Sequence, residues 1–336
     1  MRLSRRGLLA GLGSLALPRA AQAVEQNRFP VAIEARPITA FEPRSPDRRR
    51  FGALQFRGGL VLSCGHPRFG GFSGLWRSSD GRDLVAITDR GYWLTAKVVS
   101  RNGRPAALED AAMAAILGAS GRPLARSRSF DTESLAIAGG VAYVGVERTH
   151  EVLRFDWAGK GVDARARAVP VPSEVRRLPR NRGLEAIGVV PAGPLAGTVV
   201  AVAERSGRED EPTLGVILKP GRPGLFEVAR HDGYDITDLA FLPSGDMLLL
   251  ERWYKPWRGV GMRIRRIAGR DLKAGALLDG PYLIEANLGY EIDNMEGMSV
   301  HLDQGRTILT LISDDNFSFI QRTLLLEFEL PDGMQS

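Results

Sequence analysis

An all-β propeller is the fold this sequence predicts, on three observations: a repeated acidic motif, a repeated turn, and a repeated charged pair at fixed places within each copy. Five segments align: Phe72-Ser73-Gly74-Leu75, Asp131-Thr132-Glu133-Ser134-Leu135, Gly183-Leu184-Glu185-Ala186-Ile187, Asp235-Ile236-Thr237-Asp238-Leu239 and Asn294-Met295-Glu296-Gly297-Met298. Their third positions are Ser73, Glu133, Glu185, Thr237 and Glu296, spaced by 60, 52, 52 and 59 residues. That period suits one four-stranded propeller blade with its loops. Helical solenoids repeat at similar lengths, but each motif here is followed by a short apolar strand, a turn and a second strand rich in Val, Ile, Leu and Tyr.

The turns include Ser79-Asp80-Gly81, Ala138-Gly139-Gly140, Pro191-Ala192-Gly193, Pro243-Ser244-Gly245-Asp246 and Asp303-Gln304-Gly305. Glycine, Asn and Asp supply the backbone angles that tight hairpins need. Each second strand then ends in a charged pair: Asp89-Arg90, Glu147-Arg148, Glu204-Arg205, Glu251-Arg252 and, in the last copy, Asp314-Asp315. Hairpin symmetry brings motif and pair together. Glu133 and Glu147 lie seven residues either side of Gly140, and Ser73 with Asp89, or Thr237 with Glu251, stand in the same relation about their own turns. If the first strand is innermost in its blade, all copies converge on one mouth of the central channel, where propellers usually place their sites.

Two regions fall outside the repeat. The Ala-rich stretch Ala106 to Leu117 has strong helix propensity and predicts one short helical insertion between blades, with Gly118 ending it. Ala53 to Phe56 and Leu60 to Ser63 flank Arg57-Gly58-Gly59 and read as a further hairpin. Combined with a C-terminal strand, Thr323 to Leu330, it predicts closure of a sixth blade.

The first 23 residues read as an export signal, with 24–50 an extended segment and 51–336 the propeller. Ser4-Arg5-Arg6-Gly7-Leu8-Leu9 is a twin-arginine box, an apolar run reaches Leu17, and Ala21-Gln22-Ala23 supplies small residues for cleavage after Ala23. The run is too short to span a bilayer, which needs ~20 apolar residues. A periplasmic or secreted protein follows, with the twin-arginine export machinery as its first partner and no stable membrane insertion. The chain carries 45 basic and 39 acidic side chains, a net +6. Removal of the signal takes away four arginines and no acid, leaving about +2, which gives little support to a nucleic-acid partner. Arginine-rich stretches at Arg44 to Arg50 and Arg165 to Arg182 read as solvated loops able to attract an anion. Cys64 is the single cysteine, so no intramolecular disulfide forms. The four histidines lack close metal-ligand spacing, which excludes a zinc site of the usual pattern.

Carboxylates ringing a channel mouth suit a hard cation such as calcium, with its six to eight oxygen ligands. Glu133, Glu185, Glu296 and Asp314 form the candidate metal set, and no organic cofactor is indicated. The charged pairs Asp89-Arg90, Glu147-Arg148, Glu204-Arg205 and Glu251-Arg252 are candidates for catalysis and for holding a small anionic substrate. The alternative is structural: the same acids pair with an arginine of the next blade or cap backbone N–H groups. Gly71-Phe72-Ser73-Gly74-Leu75 lacks the last glycine of a nucleophile elbow and lies in a hairpin, so a serine hydrolase is not expected.

In order along the chain, Gly71-Phe72-Ser73-Gly74-Leu75, Thr88-Asp89-Arg90-Gly91, Asp131-Thr132-Glu133-Ser134-Leu135-Ala136, Asn181-Arg182-Gly183-Leu184-Glu185-Ala186, Asn294-Met295-Glu296-Gly297-Met298, and Ser313 to Ser318 with Gln321-Arg322-Thr323 form a set. Together they resemble the phytase-like family labelled "esterase-like activity of phytase", over roughly residues 50–330. The resemblance implies a propeller and hydrolysis of a phosphate or carboxylic ester. A calcium-dependent lactonase and a non-catalytic binding or scaffold propeller are the alternatives, since one fold serves both enzymes and scaffolds.

Overall fold

The computed structural model describes residues 27–127, 130–179, 182–208, 211–255 and 259–331. The expected export signal, at 1–23, lies outside them. Among the described residues no helix is long and apolar enough to cross a membrane.

Five sheets radiate from a central channel, each beginning with a repeat motif as its innermost strand. Blade 1 runs outward from Phe72–Arg77 through Asp83–Thr88 and Tyr92–Arg101 to Arg104–Ala115. Blade 2 comprises Thr132–Ala138, Val141–Val146, Glu151–Asp156 and Arg167–Val169, and blade 3 comprises Leu184–Val189, Val199–Ala203, Thr213–Leu218 and Gly224–Val228. Asp235–Phe241, Met247–Lys255, Gly259–Ile267 and Tyr282–Asn287 form blade 4. Blade 5 starts with Asn294–Asp303, Arg306–Asp314 and Thr323–Leu330, then takes its outer strands Leu54–Ser63 and Glu34–Ile38 from the N-terminal part of the chain. Both ends of the fold are thereby tied into one sheet.

The strands are apolar on both faces because each blade packs against two neighbours. Side chains alternate across a strand, so consecutive residues feed different interfaces. Leu248 and Leu250 enter the core between blades 4 and 5, while Met247 and Leu249 enter that between blades 3 and 4. Val200 and Val202 likewise join the blade 3–4 core, and Val199 and Ala201 the blade 2–3 core. Two further cores separate blades 1 and 2 and blades 5 and 1, so every interface is filled.

The expected six blades are five among the described residues. Leu54–Ser63 is one continuous strand between the C-terminal strand and Glu34–Ile38, and it completes blade 5. Its glycines serve close packing, because a Cβ on Gly59 would lie 2.7 Å from Leu326 Cδ2 and 2.9 Å from the Leu325 carbonyl oxygen. The helix expected at Ala106 to Leu117 is also corrected. Arg104–Ala115 is a strand of blade 1, joined to Tyr92–Arg101 by an Asn102-Gly103 hairpin turn. Its alanines fill a crowded interface, and that packing overrides their helix propensity. Among the described residues the one short α-helix is Trp157–Lys160, after the third strand of blade 2. Within the N-terminal segment 24–50, Arg28–Pro30 edges blade 1 and Glu34–Ile38 belongs to blade 5.

Candidate functional site: an acidic channel mouth

The repeated third position has a specific backbone role. In all five blades the inner strand shifts register against its neighbour at this residue: between Phe72 and Gly74, Thr132 and Ser134, Leu184 and Ala186, Ile236 and Asp238, and Met295 and Gly297. Ser73, Glu133, Glu185, Thr237 and Glu296 are therefore the extra residues of five equivalent β-bulges. A bulge bends the strand and re-aims one side chain, and here it does so beside the channel. The two hydroxyl members are used structurally. Ser73 Oγ donates to the Thr132 carbonyl (2.6 Å) and Thr237 Oγ1 to that of Met295 (3.0 Å), each stitching its blade to the next.

The second repeated position aligns through the backbone as well. Asp89, Glu147 and Glu204 donate their N–H groups to the carbonyls of Gly71, Asp131 and Gly183. Arg252 pairs with Asp235, and Asp314 with Asn294, at the matching place. Blade 4 thus contributes Arg252 where the other blades contribute a carboxylate. Glu251, expected at the mouth, lies one residue earlier and faces away, since a one-residue step reverses the face of a strand. Its carboxylate is buried outside the mouth between the guanidiniums of Arg263 and Arg265.

A cavity of about 670 Å³ opens at this end of the channel. Eight carboxylates line it, from Asp89, Glu133, Glu147, Glu185, Glu204, Asp293, Glu296 and Asp314, and among the described residues Arg252 is the one cation in its wall. Charge imbalance dominates the electrostatics. Burial, reinforced by Asp131 and Glu296, pushes Glu133 well above the usual carboxylate range. Burial and then Glu133 do the same to Glu185. Burial followed by Asp235 raises Glu204 to about 7. Asp89 rises to about 6 and Asp314 to about 8, again chiefly from burial. Glu147 is raised by burial too.

Two carboxylate groups are compact enough to share an ion: Asp131, Glu133 and Glu147, and Glu147, Glu185 and Glu204, each with one oxygen per residue within 4.8 Å of the others. Glu133 and Glu185 of the expected metal set thus lie in these groups, and Glu147, read from sequence as a catalytic candidate, bridges them. Glu296 is placed differently. It forms an ion pair with Arg252 (2.7 Å) and accepts a hydrogen bond from Asn294 Nδ2 (2.9 Å). Asp314 lines the cavity and accepts from the Asn316 N–H (2.7 Å), outside both groups.

The arginines divide into two kinds. Arg252 of blade 4 pairs with Glu296 of blade 5, and Arg205 of blade 3 binds Asp235 of blade 4 in a two-pronged contact, so both join neighbouring blades. Arg90 and Arg148 are exposed on the rim. The Arg90 guanidinium lies 3.3 Å from the centre of the Phe317 ring, and Arg148 lies 4.6 Å from Phe130 while pairing with Asp131 (3.3 Å). Phe317 sits on Gly71, where a Cβ would fall 2.5 Å from Phe317 Cε2. Asp315 anchors the same loop, accepting from the N–H groups of Gly71 and Phe317 and from Thr323 Oγ1. The glycines before Ser73 thereby serve a blade 5–blade 1 contact. No serine–histidine pair lines the cavity among the described residues, and Ser73 Oγ is already committed.

A five-bladed propeller with one strongly acidic mouth is the class that fold and site define. The chain belongs to the phytase-like family described as esterase-like activity of phytase, which it matches over residues 67–317. No curated protein matches it. Solved structures similar to it include a nidogen/laminin complex, 9% identical over 78% of this chain and 87% of that one, with a TM-score of 0.40. Another is the PQQ-bound form of an aldose sugar dehydrogenase from Streptomyces coelicolor, 13% identical over 89% of this chain and 98% of that one, with a TM-score of 0.44.

Proposed function

We propose that this protein is a cation-assisted hydrolase of small phosphate or carboxylic esters, working in the periplasm. The observation that carries the reading is the ratio of eight carboxylates to one arginine around a single cavity, with burial already opposing their charge. Such a set is stable in its ionised form only with added positive charge. The donors fit calcium: they are hard oxygens, and neither histidine nor cysteine lines the cavity among the described residues. Glu133, Glu147 and Glu185, with Asp131 and Glu204, would hold the ion. When bound, it would supply charge stabilisation and a more acidic water.

The chain's own groups account for the remaining tasks. Asp89, at about 6, is poised to accept a proton from an attacking water near neutral pH. Arg90 and Arg148, held over aromatic rings, present guanidiniums to the anionic part of the substrate. Turnover of p-nitrophenyl phosphate and p-nitrophenyl acetate, with calcium and then with a chelator, tests this reading. Calcium-dependent release from one of them is expected, lost in Asp89→Asn while calcium binding persists. No turnover of either would remove the hydrolase assignment, and equal turnover under chelation would remove the cation from it.

A specific observation favours a second reading for part of the site. The Arg205–Asp235 and Arg252–Glu296 pairs bridge blades, as in a non-catalytic scaffold. In that case calcium binding changes nothing and the mouth recognises a ligand without turnover. The periplasmic assignment rests on the twin-arginine box. Arg5→Lys with Arg6→Lys should leave unprocessed precursor in the cytoplasm, and normal cleavage after Ala23 would refute that export route.

A further inference from the structure

The rim of the acidic cavity is chemically lopsided. Next in sequence to the lining residues Asp89 and Glu147, blades 1 and 2 carry the exposed Arg90 and Arg148, stacked on Phe317 and Phe130. On the blade 4–5 side, Tyr254, Leu288 and Ile320 line the cavity and are 64%, 60% and 74% exposed. Phe319, next to Ile320, is fully exposed. Seven large apolar side chains are exposed among the described residues; three of them line this cavity, and Phe319 adjoins one of the three in sequence. Single exposed apolar residues are ordinary, but a contiguous group beside a site marks a binding surface.

Part of this surface is held in place. Leu288 packs directly over Gly259, whose φ of +81° and lack of a side chain admit the leucine; a Cβ there would overlap it. The ledge is therefore preformed although more than half of Leu288 faces water. A ligand polar on all sides would leave these groups uncovered. A ligand with an anionic head and a hydrocarbon portion would match both halves of the rim, its head toward the arginines and the cavity and its apolar part along Leu288 and Ile320.

We propose that the blade 4–5 rim is a subsite for the hydrocarbon portion of an amphiphilic anionic ester. The inference rests on the hydrolase reading for what happens to the head group, but binding alone tests it. Octyl phosphate and methyl phosphate share one head and differ in chain, and their affinities can be compared by calorimetry with calcium present. Octyl phosphate should bind at least tenfold more tightly, since two buried methylenes already correspond to about that factor. Leu288→Ser combined with Ile320→Ser should reduce the difference below threefold and leave methyl phosphate unchanged. Leu302→Ser, at the far end of the channel, should alter neither. Equal affinities in the parent, or a chain preference that survives the double substitution, would overturn the proposal. So would sedimentation with phosphatidylglycerol vesicles that depends on Leu288 and Ile320 without any octyl preference, because the rim would then be a membrane contact. Octyl binding that needs both residues but not calcium would leave the subsite standing and remove the cation reading instead. Absence of binding by either phosphate would remove both.

Discussion

Two sets of carboxylates among the described residues, one within the blades and one at the channel mouth, are treated in opposite ways. Within the blades, Glu251 is held between the guanidiniums of Arg263 and Arg265, and Glu327 pairs with Arg77 at 2.9 Å. Arg263 is further enclosed by the rings of Tyr234 and Tyr282, at 3.8 and 4.3 Å. These acids have their positive charge built in. At the channel mouth, Glu133, Glu147 and Glu185 crowd together while the nearest wall cation, Arg252, is engaged by Glu296. The contrast teaches that Glu251 and Glu327 carry their own arginines, whereas Glu133, Glu147 and Glu185 form no ion pair among the described residues and are left open for something else.

The largest expected effect comes from breaking the structural side. Glu251→Ala leaves Arg263 and Arg265 buried beside a missing partner. Removing one member of a buried ion pair costs about 3–5 kcal/mol, so chemical denaturation should show a loss of that order. At the mouth, the corresponding Glu185→Gln should be neutral or stabilising in the absence of a cation, because it removes a repelling charge. A similar loss in both variants would erase the distinction between the regions.

A smaller effect, readable across pH, sharpens it. Asp89, Glu204 and Asp314 have folded-state values of about 6, 7 and 8, above the ordinary 3.8 to 4.5. The native state therefore binds more protons than the unfolded chain in this interval, and stability falls as pH rises. Their contribution is complete below about pH 4 and is lost progressively up to about pH 8. His301, at the far end, works the other way. Burial, with Arg77 and Arg57 nearby, lowers it to about 3, so its contribution is lost as pH falls from about 6.5 toward 3. The cation-free protein should melt higher at pH 5 than at pH 8, because three carboxylates outweigh the one histidine, and calcium should flatten the alkaline decline. A midpoint that rises from pH 5 to pH 8 without calcium would contradict the assigned carboxylate environments.

Much of this arrangement was legible in the sequence because it repeats. Five copies of the motif correspond to five inner strands, and the carboxylates at positions 133, 185 and 296 sit on three equivalent bulges beside one channel. The sixth blade arose from reading Arg57-Gly58-Gly59 as a turn, when Gly59 is there to let Leu325 and Leu326 pass closely. The helix arose from alanine propensity, although Asn102-Gly103 carried a hairpin signal ahead of it. Glu251 was misplaced because it stands fourteen residues after Thr237, as Glu147 does after Glu133, whereas the blade 4 hairpin reaches the equivalent place only at the fifteenth, Arg252. The apolar rim had no sequence signal, because Leu288 and the adjacent pair Phe319-Ile320 lie in loops without periodicity, some thirty residues apart in the chain. Arg205 and Arg252 looked like Arg148 in sequence, and only the blade neighbours distinguish them.

The most direct test of the open-charge account is a thermal melt of the parent and of the Glu133→Gln, Glu185→Gln double variant, each with a chelator and with calcium. Calcium at a hundred times its dissociation constant should stabilise the parent by about 2.7 kcal/mol. The double variant should melt at or above the chelated parent and lose most of the calcium response. A parent that ignores calcium, together with a double variant that melts lower, would mean that these glutamates already have their partners within the fold.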